Sequence, residues 1–331
     1  MQKLEYGGAM MASLRKQWRD IPPVLWVLLA MAVVSYPLTE AFGRTGGFSV
    51  QFLLNVVERS VTLAIVAVGQ TFVILVGSID LSVAFVISLS AVMASYLMQG
   101  SATMILVAVP AVLLMGAGIG WLNGFLVTKG KVNPLIATLG VGLIIQGILS
   151  TSFQNFAGSV PDSYQIIAYG SVLGVPNSFF LLLAVAAGAV FVLRKTKFGA
   201  HIYAVGGNNE AARLSGIDTG RTMRRAHLIA GLLAALAGLF LTSRLGSGAP
   251  WVGPDGIYDL ESIAAVVIGG TILAGGRGGV FGTIIGVLIF GLIDSLFNQL
   301  GIDPYLKQVL RGLIIVLAVA AYSMRSKEEV A

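Results

Sequence analysis

The chain reads as an all-α, polytopic membrane protein of about ten transmembrane helices, with an inverted repeat and both termini in the cytoplasm. Three observations carry that reading. Only 11% of the 331 residues are charged and 56% are hydrophobic, whereas soluble domains carry about 25% charged residues. Apolar runs near the roughly 20 residues needed to cross a bilayer recur along the whole length. The basic residues are divided unevenly between the intervening loops, as the positive-inside rule requires.

The runs are 21–38, 60–77, 82–98, 103–127, 134–153, 178–193, 226–243, 260–274, 279–299 and 305–323. Arg15, Lys16 and Arg19 precede the first, and Ala30-Met31-Ala32 resembles a signal-peptidase site. The apolar run passes that point and continues to Leu38, so it is read as an uncleaved span. Residues 1–20 then form a cytoplasmic N-terminal segment, 21–323 the transmembrane domain and 324–331 a cytoplasmic tail. With the N-terminus inside, Lys3, Arg15, Lys16, Arg19, Lys129, Lys131, Arg194, Lys195, Lys197, Arg213, Arg221, Arg224, Arg225, Arg277, Arg325 and Lys327 fall in the cytoplasm, which is 16 of the 21 Lys and Arg. Arg44, Arg59, Arg244, Lys307 and Arg311 are the exceptions, outside or at outer helix ends. The net charge of +6 is explained by this orientation signal, and no nucleic-acid partner is implied.

An internal echo supports the repeat. Gly120-Trp121-Leu122-Asn123, Asn133-Pro134 and Gly142-Leu143-Ile144-Ile145 correspond to Gly291-Leu292-Ile293-Asp294, Asp303-Pro304 and Gly312-Leu313-Ile314-Ile315. The first copy's loop is cytoplasmic and the second's external, the symmetry of a protein that exposes one central site to either side.

Polar residues inside apolar spans are expensive. Asp80, in Gly77-Ser78-Ile79-Asp80-Leu81-Ser82-Val83, can cap the following helix by accepting from the backbone N–H of Ser82 or Val83, or it can contact a transported molecule. Gln70, Asn123, Gln146, Asp294 and Asn298 are the other candidates for a hydrophilic path, and interhelical hydrogen bonding is the competing role for each. Gly116, Gly120 and Gly124, like Gly282 and Gly286, mark close helix packing. Gly275-Gly276-Arg277-Gly278-Gly279 is read as a tight helix connection rather than a phosphate cradle.

There is no cysteine, hence no disulfide and no thiolate site, and the two histidines, His201 and His227, are too far apart in sequence to suggest a metal. No G-x-x-x-x-G-K-[ST], H-E-x-x-H or G-x-S-x-G occurs. Neither a catalytic constellation nor a bound cofactor is expected in this chain.

The most informative stretch is the polar island 194–225, with seven basic residues and only Glu210 and Asp218 as acids. Its middle, 208–217, reads as a short helix. Asn208 or Asn209 caps its start, Glu210 suits its positive end, Gly216 stops it, and Ala211, Leu214 and Ile217 form an apolar stripe. Two turns are not stable alone in water, so the helix must dock, either on the membrane surface or in a groove of a soluble partner.

Gly77–Val83, Asn123-Gly124, Lys131–Gly140, Thr196–Gly199, Gly206–Ile217, Ala264–Gly270 and Gly275–Gly279 with Gly282-Thr283, in this order and spacing, resemble the membrane permeases of ATP-binding-cassette (ABC) importers, in the branch that includes ribose, xylose, arabinose and autoinducer-2 permeases. The departures are Ser78-Ile79-Asp80, where relatives usually read Gly-Gly-Ile-Asp, and Ala84, where they usually have Gly. The resemblance implies two permease chains, identical or different, lining one path. ABC ATPase subunits below would bind ATP and Mg, and a periplasmic or lipid-anchored sugar-binding protein would deliver from outside. It implies that Asn209, Glu210, Ala211, Arg213, Leu214, Gly216 and Ile217 form the helix that couples to the ATPase. An ion-gradient-driven secondary transporter is the alternative. It would share the spans and the repeat but usually needs ionisable groups in mid-membrane, where only Asp80 and Asp294 qualify.

Overall fold

The structure, a computed structural model, describes residues 23–41 and 49–328. The N-terminal segment 1–20, Arg44 and residues 329–331 lie outside them. The helices are α1 Pro23–Ala41, α2 Val50–Leu75, α3 Val83–Met98, α4 Ile105–Thr128, α5 Pro134–Ser152, α6 Asp162–Tyr169, α7 Asn177–Lys195, α8 Lys197–Gly207, α9 Asn209–Leu214, α10 Thr219–Leu245, α11 Val252–Asp255, α12 Tyr258–Ile268, α13 Val280–Gln299 and α14 Pro304–Glu328. A two-residue hairpin, β1 Ser171–Val172 with β2 Val175–Pro176, joins α6 to α7. Together with an isolated antiparallel bridge between Ala157 and Gly248, it is the extended pairing found among the described residues. α14 runs past residue 323 into the expected tail.

Helix starts follow capping chemistry. Ser49 Oγ accepts from Phe52 N, Asn133 Oδ1 from Leu135 N, Thr196 Oγ1 from Gly199 N and Asp218 Oδ1 from Arg221 N. Each side chain satisfies one of the donors that a helix N-terminus leaves free.

Among the described residues six helices, α2, α4, α5, α7, α10 and α13, are long and apolar enough to cross a membrane. The eighth apolar run, 260–274, forms helix only as far as Ile268. Its eleven residues rise about 16 Å, roughly half of a 30 Å hydrocarbon core. Gly270, at φ +87°, turns the chain, and Ile272 N then bonds Arg277 O at 3.0 Å. Gly269 and Gly270, inside the run, end the helix before the apolar residues do.

α10 is the central element and packs on α4, α2 and α3, while α2 also packs on α13 and α12. Several pairings exchange under one rule, α2 for α10, α3 for α12, α4 for α13 and α5 for α14. α4 lies on α10 as α13 lies on α2, and α5 lies on α3 as α14 lies on α12. The sequence echo falls on equivalent places. Asn123 and Asp294 each stand five residues before the end of their helix, and Asp303 caps α14 through Tyr305 N at 2.8 Å as Asn133 caps α5.

The glycine spacing is explained by this packing. A Cβ at Gly120 would overlap the His227 carbonyl, and one at Gly124 would lie 2.7 Å from Arg224 Cα. Gly282 and Gly286 approach the backbone of α12 at Gly269 and Ala265. Gly120→Ala must push α4 off α10. We expect a loss of at least the roughly 1–3 kcal/mol that overpacking costs, read as a lower melting temperature in detergent. Gly118→Ala, which meets open space, is the control.

The outward faces of α5 and α14 stay apolar, with Ile136, Ile144, Tyr305 and Val309 each about two-thirds or more exposed. Tyr169 Oη donates to Arg244 O and Tyr164 Oη to Leu239 O. These bonds fasten the 154–177 segment over the end of α10 remote from the basic loop, called the far end below.

Candidate functional site

Three polar assemblies stand out from the apolar bundle: the basic-loop helix, a sealed knot near it, and a charged network at the far end.

The expected loop helix is α9, tighter than the 208–217 span. Asn208 is the cap, with Oδ1 accepting from Ala211 N at 2.9 Å. Asn209 opens the first turn, and Gly216, at φ +82°, stops the helix while Ile217 N bonds back to Ala212 O at 3.0 Å. The helix is held to its own chain by Ala212, which is buried, and by Ile217, which packs against the buried cluster that contains Ile202, Val205 and Ala212. Ala211 is exposed, and Leu214 is 79% exposed. The apolar stripe read from the sequence therefore divides between an inward anchor and an outward leucine.

Glu210 and Arg213 bridge the outer face at 2.6 Å. The hydrogen bond from Arg213, and then its charge, hold the Glu210 carboxyl below its ordinary value of 4.5. A depressed carboxylate contributes its stabilisation above that ordinary value and loses it as pH falls through the lowered one. Amide protection across 211–214 should hold from neutral pH to about 4.5 and decline only below that. Protection already lost near neutrality would contradict the bridge. The backbone N–H of Arg221 similarly lowers Asp218 at the start of α10.

The knot gathers residues from the α2–α3 link, α4 and α10. Asp80 is fully buried, and its Oδ1 accepts from Ser82 N at 2.9 Å and Ser82 Oγ at 2.6 Å. That is the helix-capping role, made at Ser82. Asn123 Nδ2 reaches Ser82 Oγ at 2.7 Å and both Asp80 oxygens at 3.3 Å. His227, also fully buried, places Nδ1 3.1 Å from Asp80 Oδ2 and Nε2 2.9 Å from Ser78 Oγ. An ionised carboxylate only accepts, so Nδ1 carries the proton, and in a neutral ring Nε2 accepts from the Ser78 hydroxyl. Ser78, the departure from the usual Gly, is thus a working member of the knot. Close by, Gly276 N bonds Leu75 O at 2.9 Å, and Gly275, Gly276 and Gly278 all take positive φ. The glycine loop is a tight tie between chain segments.

At the far end, Arg311 of α14 bridges Asp294 of α13 and Glu261 of α12, the latter at 3.4 Å. Asn298 Nδ2 donates to Asp294 Oδ2 at 3.1 Å, and Lys307 Nζ donates to Asn298 Oδ1 at 2.6 Å. A cavity of roughly 170 Å³ opens beside this chain of contacts, also lined by Arg59, Arg244 and Tyr258.

The six candidate path residues are accordingly distributed. Asp80 and Asn123 come together in the knot, and Asp294 and Asn298 come together at the far end. Gln70 is fully buried in α2, with neither amide atom paired. Gln146, half-buried on α5, donates to Ser150 Oγ at 3.1 Å. Sequence reasoning passed over Ser78, His227, Glu261, Arg59, Arg244 and Arg311 as site members. A signal was present for the arginines, since all three are exceptions to the basic-residue asymmetry. His227 carried no signal because its partner lies 147 positions away.

A bundle with six membrane-length helices and buried polar knots is a multi-pass membrane protein. Residues 52–319 match the family described as the permease component of the branched-chain amino acid transport system, and the chain belongs to that family. The ribose import permease protein RbsC of Haemophilus influenzae is 41% identical over 83% of this chain and 85% of its own length. RbsC of Escherichia coli K12 is 37% identical over 92% and 94%. The galactose/methyl galactoside import permease protein MglC of the same strain is 34% identical over 91% and 93%. No solved structure matches the chain.

Proposed function

We propose that this chain is the membrane-spanning subunit of an ABC importer for a monosaccharide such as ribose. The observation that carries the reading is its 37–41% identity, across most of its length, to ribose import permeases. The family is described through branched-chain amino acid transport, but the relatives above are named for sugars.

In this reading the chain crosses the bacterial inner membrane ten times with both termini inside, and α12 with the turn after it supplies the short eighth crossing. The exchange of packing partners supports an inverted repeat, α2–α5 against α10–α14. The basic loop faces the cytoplasm, and the outward side of α9, with Leu214 at its C-terminal end and Glu210 and Arg213 beside it, seats in a partner ATPase that binds ATP and Mg. A second permease chain completes the path, a sugar-binding protein docks at the far end, and lipid covers the apolar faces. The knot makes the α2–α3 link, α4 and α10 move as one body.

The test is uptake into proteoliposomes holding the chain, its ATPase and its binding protein. ATP inside should drive ribose or galactose accumulation, and ionophores that collapse proton and sodium gradients should leave it intact. Accumulation that ignores ATP and stops with the gradient would identify a secondary transporter instead.

A further inference from the structure

A second cavity, of roughly 370 Å³, adjoins the first at the far end, and Arg59 lines both. Beside Arg59 its polar walls are Ser49 at the cap of α2 and Gln51, Asn55, Ser295, Asn298 and Gln299 of α2 and α13, with Phe52 as an apolar wall. The smaller cavity sets Arg59, Arg244, Arg311, Glu261 and Asp294 among apolar walls from Leu63, Phe290 and Ile293. Between them lies the continuous contact chain Lys307–Asn298–Asp294–Arg311–Glu261.

Counting donors and acceptors shows what this network leaves open. Arg311 is committed to two carboxylates, and Asn298 is committed at both ends. The guanidinium groups of Arg59 and Arg244 form no hydrogen bond or ion pair among the described residues. Ser295 Oγ and Gln299 Oε1 are buried and have no hydrogen-bond partner. Ser295 is only 7% exposed. The cavity walls thus hold unpaired donors, an unpaired acceptor and a hydroxyl that can serve as either.

The ligand class follows from that mixture. An apolar solute would leave every one of these groups unsatisfied. An anion would meet the guanidinium groups but also Asp294 and Glu261, with Asp259 close enough to act on Glu261. A polyhydroxylated molecule offers O–H donors and oxygen acceptors around its whole rim and can answer both kinds of wall. Size points the same way. The inner cavity, at roughly 170 Å³, lies between the ~10–15 Å³ that one water needs and the ~300 Å³ at which pockets for drug-sized ligands begin, and the outer one, at roughly 370 Å³, only just passes that limit. That suits a single sugar ring.

We propose that these adjoining cavities form a binding subsite for a monosaccharide inside one permease chain, with Arg59 shared between the outer and inner positions and Arg244 closing the inner one. The proposal rests on the importer reading and adds to it a solute position within a single bundle, apart from any path between two chains. The repeat sharpens the contrast. Asn123 and Asp294 occupy equivalent places, yet Asn123 is sealed in a knot while Asp294 opens onto the cavity.

The test begins with the full chain alone in nanodiscs and equilibrium binding of radiolabelled D-ribose and D-galactose. Arg59→Gln and Arg244→Gln should each weaken binding at least about tenfold, as expected when a charged donor is lost. Arg225→Gln, in the basic loop, should bind as wild type. In the assembled importer the same two variants should raise the KM for uptake more than they lower the maximal rate. The wild-type chain supplies a check free of folding defects. Sugar should protect Arg59 and Arg244, but not Arg225, from modification by phenylglyoxal. If the wild-type chain binds neither sugar, or if both variants bind and transport as wild type, the subsite is refuted. The importer reading stands in that case provided ATP-driven uptake is seen. Absence of ATP-driven uptake of either sugar, with subsite binding intact, would instead remove the importer reading.

Discussion

Asp80→Ala should destabilise the chain by about 3–5 kcal/mol, the range for removing one member of a buried pair, and should be seen as a lower melting temperature and poor recovery from the membrane. The carboxylate is the common acceptor for Ser82 N, Ser82 Oγ, Asn123 Nδ2 and His227 Nδ1. Its removal orphans donors from three segments at once, at a site that water does not reach. Asp80→Asn keeps the shape and one acceptor oxygen, so it should retain part of the lost stability. His227→Ala should cost less, because Asp80 keeps its contacts to Ser82 and Asn123. If Asp80→Ala instead folds and melts as wild type while uptake is lost, Asp80 acts on the solute and not on the bundle.

Leu214→Ala should weaken binding of the partner ATPase about ten- to a hundredfold without unfolding α9. Full burial of a leucine contributes about 1.5–3 kcal/mol, and each 1.4 kcal/mol is tenfold in affinity. Leu214 is 79% exposed in the chain alone, so nearly all of that area is available to a partner. The anchoring side of the helix, Ala212 and Ile217, is untouched by the change. Leu214→Glu should go further and uncouple ATP hydrolysis from uptake, because it would bury a charge in the seat. Co-purification and uptake at wild-type levels in both variants would place the docking surface elsewhere.

Ser78 and the outer arginines illustrate how far reading residues in order can go. Replacement of a usual Gly by Ser looked like a small change in a turn. Its meaning came from a ring 149 positions away that needs a hydroxyl at 2.9 Å. Arg59, Arg244, Lys307 and Arg311 were visible only as exceptions to a charge count. The structure collects the three arginines along two adjoining cavities, where Asp294 and Glu261 engage Arg311, and Lys307 reaches the same network through Asn298.

Composition and local pattern alone determined that this is a helical membrane protein, where most apolar runs lie, that the basic loop carries a capped helix, and that the two halves echo each other. Those features depend on spacing along the chain: hydrophobic length, glycine periodicity, and caps that act over two or three residues. Only the tertiary structure decided which polar side chains are sealed and which face open space, where the eighth run stops being helix, and which side of α9 is spent on the chain itself. Each of those depends on contacts between segments far apart in sequence, and burial of a charge has no local signature until its partner arrives.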